Sequence, residues 1–136
     1  MTTKRFALGQ VFRYSYKWAH APNLDEPKER PACLVLKIGG PGGVKLAIVA
    51  ISDQPSREEG LSIEIPQVEI ARAGLSSHRS AYIQLSEVNL DRLENSHSFN
   101  PRVKILGSFS KSFVSLIGKK LAANIRSKRA VTILRS

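Results

Sequence analysis

Glu29-Arg30-Pro31-Ala32-Cys33-Leu34-Val35-Leu36 is the stretch from which the rest of the chain can be read. A charged, proline-punctuated loop runs straight into an apolar segment. Proline disfavours helical geometry at the residue before it, so Arg30 is predicted to be extended. Pro31 at the start of a strand is one of the few places where a sheet tolerates proline. Cys33 to Ile38 then reads as a strand. Gly39-Gly40-Pro41-Gly42-Gly43 is turn chemistry, and Val44 to Ile51 returns as an almost continuous apolar run. Such a run implies a strand buried on both faces or facing a barrel interior. It ends in Ser52-Asp53-Gln54, and this reading sets Arg30 and Ser52 across one cleft.

Working outward, Gly9 to Tyr16 alternates: Val11, Arg13 and Ser15 share one side, and Phe12, Tyr14 and Tyr16 the other. That is the pattern of a half-buried strand. Residues 21–29 carry two prolines and mixed charge and read as a loop. Leu61 to Ile65 alternates as a strand. Pro66 opens a short helix to about Ala73, with Gly74 as its stop. Ala81 to Leu85 is a further strand, Glu87 to Leu90 is a candidate for another, and Ile105 to Phe109 is ambiguous. Lys111 to Ile125 is the clearest helix. Phe113, Leu116, Ile117 and Leu121 follow helical spacing behind a Ser110 cap. The fold class expected is mainly β with peripheral helices (α+β), a small barrel-like sheet ending in an amphipathic helix. Residues 1–125 form a single domain on this reading and 126–136 a basic C-terminal tail.

The 136 residues suffice to bury a core without disulfide or metal. The lone Cys33 excludes an intramolecular disulfide and a cysteine-based zinc cluster. Lys and Arg outnumber Asp and Glu by 21 to 11, a formal net charge of +10. Such a field attracts polyanions: nucleic acid, an anionic surface or an acidic protein. No stretch approaches the ~20 apolar residues of a membrane span. Gln10, Arg13 and Lys17 interrupt the apolar core that a signal peptide needs, so a cytoplasmic protein is expected. The glycine-rich turn lacks the Lys-Ser/Thr of a P-loop. No His, Asp and Glu spacing reads as a metal site, and no cofactor is expected. His20, His78 and His97 fall in three separate loop-like regions. His78 and His97 read as surface histidines, and His20 stays a weak candidate because it is close to the loop before Arg30.

Four segments, in order, resemble the PemK/MazF family of toxins from bacterial toxin–antitoxin pairs. They are Gly9-Gln10-Val11, Glu29 to Leu36, Val49-Ala50-Ile51-Ser52-Asp53-Gln54, and Ala81-Tyr82-Ile83-Gln84-Leu85-Ser86-Glu87-Val88-Asn89. Tyr14-Ser15-Tyr16-Lys17-Trp18 is similar to a PemK-like branch. The resemblance spans roughly residues 9–125. It implies an SH3-like barrel, a homodimer, a metal-independent endoribonuclease acting on single-stranded RNA such as mRNA, and inhibition by a cognate antitoxin. The family's arginine before proline corresponds to Arg30, and its strand-end Thr/Ser to Ser52. The chain departs from the family in the loop 22–28, in having Ser rather than the commoner Thr at 52, and in carrying Asp53 beside it.

Metal-free RNA cleavage uses the 2′-hydroxyl as nucleophile and passes through a phosphorane. A fixed guanidinium at Arg30 can donate two hydrogen bonds to its oxygens, and Ser52 one more. Arginine stays protonated, so Arg30 is assigned charge stabilisation and proton donation to the leaving group rather than the role of base. Glu26 and Glu29 are the candidate acid/base carboxylates. An ion pair between Arg30 and Glu29, Glu26 or Asp25 is the structural alternative. Trp18 and Tyr16 are candidates to stack RNA bases, and Lys28 and Gln54 to contact the RNA. The alternative function is a catalytically inactive nucleic-acid-binding or regulatory barrel. A third is a protein-interaction module with no nucleic-acid role.

Overall fold

The structure, a computed structural model, describes residues 6–16, 29–41, 43–76, 78–92 and 104–134. Eight strands and two helices follow in the order β1 (Gln10–Ser15), β2 (Glu29–Ile38), β3 (Lys45–Ser52), β4 (Ser62–Glu64), α1 (Gln67–Arg72), β5 (Tyr82–Gln84), β6 (Glu87–Arg92), β7 (Ile105–Ser108), α2 (Lys111–Arg126) and β8 (Val131–Leu134). The architecture is mainly β with two helices, as the pattern of short strands and one amphipathic helix requires. The ambiguous segment at 105–109 resolves as β7, and residues 131–134, inside the expected tail, form β8.

β3 is the hub. Its central residues Leu46 to Ile51 are all buried, as the unbroken apolar run predicts. β2 pairs antiparallel along one edge of it. The other edge is shared: Lys45 to Ile48 pair with β6, and Ile51 and Ser52 pair with β5. β1 continues the sheet beyond β2, and β7 beyond β1. β8 lies parallel to β6. No ladder among the described residues links β7 to β4 or β8, so the strand order is open rather than closed into a ring.

Because strand side chains alternate, two buried faces give two cores. Val11, Cys33, Val35, Ala47, Val49 and Ile51 meet Phe113, Ile117 and Leu121 of α2 on one side. Phe12, Tyr14, Ala32, Leu34, Ile48 and Ala50 pack with Phe6 and Tyr16 on the other. There the rings of Phe6, Phe12, Tyr14 and Tyr16 run edge-to-face, with successive centroids 6.2, 6.0 and 6.4 Å apart. Tyr14 Oη donates to Asp91 Oδ2 at 2.6 Å, and Tyr16 Oη donates to the Glu87 carbonyl at 3.3 Å. β1 and β6 have two strands between them, so side chains meet across that span only because the sheet curls over its aromatic face. β1 is therefore buried more fully than its alternation suggests, since Val11 serves the first core while Phe12 and Tyr14 serve the second.

The helices are joined by one carboxylate. Ser110 caps α2, its Oγ accepting from the Phe113 N–H at 3.3 Å. The same Oγ–H donates to Glu69 Oε2 at 2.6 Å, and the Ser110 N–H donates to Glu69 Oε1 at 2.9 Å. α2 has no acidic residue in its own first turn. Buried Glu69, from α1, supplies the negative charge that the positive end of a helix favours. Beyond α1, Gly74 sits at φ +73°, and a side chain there would collide with the Leu106 backbone. Gly107 of β7 leaves the same room for Ala73.

Two outcomes are expected from thermal and denaturant unfolding. Gly74→Ala should lose about 2 kcal/mol or more, through positive φ and backbone collision together. Glu69→Ala should lose about 1–3 kcal/mol, because it leaves the Ser110 donors without their acceptor. Full stability in either variant would contradict the packing described.

Candidate functional site

The β2–β3 ladder begins at Ala32↔Ala50. Continuing the same register sets Pro31 level with Ile51 and Arg30 level with Ser52. The ladder does not reach them: proline has no N–H to donate, while Ile51 and Ser52 pair with Ile83 and Tyr82 of β5 along the opposite edge of β3. The strands part, and an open cavity of about 520 Å³ occupies the fork. It is lined by Arg30, Pro31, Ile51, Ser52, Asp53, Gln54, His78, Arg79 and Ser80.

Arg30 and Ser52 are half-buried, while Asp53, Gln54 and Arg79 are exposed around them. Ser52 Oγ accepts from the Gln54 N–H at 3.1 Å, a local turn that fixes the hydroxyl oxygen and leaves its proton to point elsewhere. The Gln54 carbonyl accepts from Gln84 Nε2 at 2.8 Å, tying that turn to β5. His78, half-buried, donates its backbone N–H to the Leu75 carbonyl at 2.9 Å, which holds its loop against the end of α1. Two guanidiniums and an imidazole thus share the cavity with one carboxylate. That combination attracts an anion and offers it hydrogen-bond donors from several directions.

Of the residues singled out from sequence, Arg30, Ser52 and Gln54 come together here. Glu29 does not line the cavity; it is exposed and pairs with Arg13 Nε at 3.6 Å. The reason is strand alternation, which sends neighbouring side chains to opposite faces. Tyr16, expected to stack a base, has its ring buried among aromatics and presents no face. Trp18, Lys28 and Glu26 lie outside the described residues, as do Asp25, His20 and His97. Sequence reading missed Arg79 and Ser80 and took His78 for a surface residue. The available signal was a polar run, Ser76 to Ser80, directly ahead of a strand. What places it is the β3–β5 pairing, which no local pattern announces.

A second cavity, of about 630 Å³, lies between β2 and α2 beside Leu8, Val35, Leu36, Phe109, Val114 and Gly118. Its walls are mainly apolar, so it offers no comparable constellation. Among the described residues no group of three or more His, Cys, Asp or Glu side chains is placed to hold a metal ion, and no helix is long and apolar enough to cross a membrane. No family model and no curated protein matches this chain.

Cys33, three residues beyond Arg30, is fully buried in the first core, and burial pushes its thiol well above the ordinary range. The thiolate is the nucleophile, so Cys33 takes no part in chemistry at the cavity. Iodoacetamide at pH 8 should leave the native protein unlabelled and modify the single thiol once guanidinium unfolds the chain. Rapid native labelling would show that β2 is not packed as described.

Proposed function

We propose that this chain is an endoribonuclease toxin of the PemK/MazF type that cleaves single-stranded RNA without a metal. The observation that carries the reading is the cavity shared by Arg30 and Ser52, two residues from different strands that are aligned by register and flanked by Arg79 and His78. The ordered motifs between residues 9 and 125, the mainly-β architecture and the +10 charge support it. The finer fold belongs to the same proposal: an SH3-like barrel, built from a sheet whose strand order is open among the described residues. So do a homodimeric state, a cognate antitoxin partner and a cytoplasmic setting.

In the proposed reaction a phosphodiester enters the fork. Its 2′-hydroxyl attacks the adjacent phosphorus, and the 5′-oxygen leaves. The products are a 2′,3′-cyclic phosphate and a 5′-hydroxyl. Arg30 meets the equatorial oxygens as charge accumulates, and the Ser52 hydroxyl donates from the next strand. The Ser52 oxygen is already held by the Gln54 N–H, so its position does not have to reorganise at that moment.

A second reading, an inactive nucleic-acid-binding or regulatory barrel, is favoured by Asp53. Its carboxylate lines the same cavity and repels a phosphate.

Purified protein with a long mixed-sequence RNA in EDTA separates the two. The toxin reading expects cleavage with cyclic-phosphate ends, a loss of about 10²–10³-fold for Arg30→Ala, and a loss of about 10-fold for Ser52→Ala. Salt-sensitive binding without turnover selects the inactive barrel, and Arg30→Ala cleaving at the wild-type rate rejects the assignment of Arg30.

A further inference from the structure

The reaction above lacks a base for the 2′-proton. From the arrangement of the fork we infer that His78 is that base, an inference that rests on the ribonuclease reading of the same cavity.

The argument is one of position. In-line displacement puts the attacking 2′-oxygen and the leaving 5′-oxygen on opposite sides of phosphorus, so the groups that serve them stand on opposite walls. Arg30 stands on β2, on one side of Ser52. β5 pairs with Ser52 from the other side, through Ser52↔Tyr82. The loop that leads into Tyr82 carries His78, Arg79 and Ser80 along the cavity wall. A phosphate held between Arg30 and Ser52 therefore has the imidazole on the side away from Arg30. That is where the nucleophile approaches if Arg30 attends the leaving oxygen.

The competing bases fit less well. Glu29 is turned out to Arg13 and does not line the cavity. Asp53 does line it but is exposed. A carboxylate in water is a weaker proton acceptor than imidazole, and proton-transfer efficiency follows basicity near the working pH. Arg30 and Arg79 remain protonated throughout. Imidazole is the side chain whose unperturbed charge change falls between pH 5 and 8.

The step balances without a co-reactant. A neutral imidazole nitrogen of His78 accepts the 2′-O–H proton as the 2′-oxygen forms its bond to phosphorus. The P–O5′ bond breaks, its electron pair leaves on the 5′-oxygen, and that oxygen takes a proton from water. The imidazolium then returns its proton to solvent through the open mouth. The charged groups facing His78 in the cavity are Arg30 from β2, Asp53 from the end of β3 and Arg79 on its own loop.

Since the neutral form is active, cleavage should rise with pH as His78 gives up its proton and then level off. The test is single-turnover cleavage of an oligonucleotide bearing one mapped scissile site, from pH 5 to 9, by wild type, His78→Ala, His78→Gln, Asp53→Asn and Arg30→Ala. His78→Ala should lose about 10²–10⁴-fold and its rising limb. Free imidazole should restore at least about tenfold of that loss, in proportion to its neutral fraction. A merely structural histidine would not respond in that way. His78→Gln should stay folded by circular dichroism and remain slow, and Asp53→Asn should keep the rising limb. If wild type cleaves and Arg30→Ala does not, but His78→Ala retains the limb or ignores imidazole, the base assignment fails alone. If wild type leaves every RNA intact, the ribonuclease reading fails and the base assignment fails with it.

Discussion

The β2–β3 ladder, and the place where it stops, is the constraint on which the rest depends. Both strands are apolar on both sides, so successive ladder pairs serve the two cores in turn: Ala32 and Ala50 one, Cys33 and Val49 the other. A slip of one residue would exchange the Ala32 and Leu34 face with the Cys33 and Val35 face, and would carry Arg30 with it. The aromatic face is built around small residues: Ala32 lies opposite Ala50 on one side and Phe12 on the other. The same interval of sequence that sets the cores thus sets the position of Arg30. The ladder ends where Pro31 has no donor to give, and the fork it leaves is polar because Ser52 and its neighbours end the apolar run.

What surrounds the fork is held from outside the ladder. α1 and β7 approach closely enough that only Gly74 and Gly107 fit between them. Glu69 fastens the start of α2 to α1. The loop bearing His78 springs from the end of α1 through the Leu75 carbonyl and enters β5, which is itself paired to Ser52. One wall of the cavity is therefore a consequence of strand pairing and the opposite wall a consequence of helix docking. Past α2, Asn124 Nδ2 donates to the Gly60 carbonyl at 3.2 Å and Arg129 Nη2 to the Glu59 carbonyl at 2.6 Å. Those bonds seat the basic segment against the turn ahead of β4 before β8 begins.

Local pattern sufficed wherever one strand or helix settled the matter. The unbroken run 44–51, the Ser110 cap and the Pro66–Gly74 brackets were legible because each depends on a few neighbouring residues. β8 was not legible: Val131 to Leu134 is too short and too basic at its flanks to announce a strand, and its partner β6 is distant in sequence. The burial of Tyr16 was misread because alternation identifies a face but not what covers it. At the cavity, Arg30 and Ser52 could be found from the joints between loop and strand. His78 could not, since its place follows from the pairing of β5 with the end of β3.

The shape of the cavity bears on the kind of anion it suits. A site for a small free phosphate would enclose it, because enclosure strengthens each hydrogen bond. Here Asp53, Gln54 and Arg79 are exposed at the mouth, and the void between the strands stays open to solvent. On the ribonuclease reading proposed above, an open fork suits a chain that enters and leaves, with one phosphate at the joint and its neighbours along the rim. The global charge acts on the same polymer: +10 spread over 136 residues draws in a polyanion far more strongly than a single phosphate, and salt weakens that pull. On that same reading Asp53 acquires a use, since a carboxylate beside the joint disfavours an extra phosphate charge there and leaves the singly charged diester as the better fit.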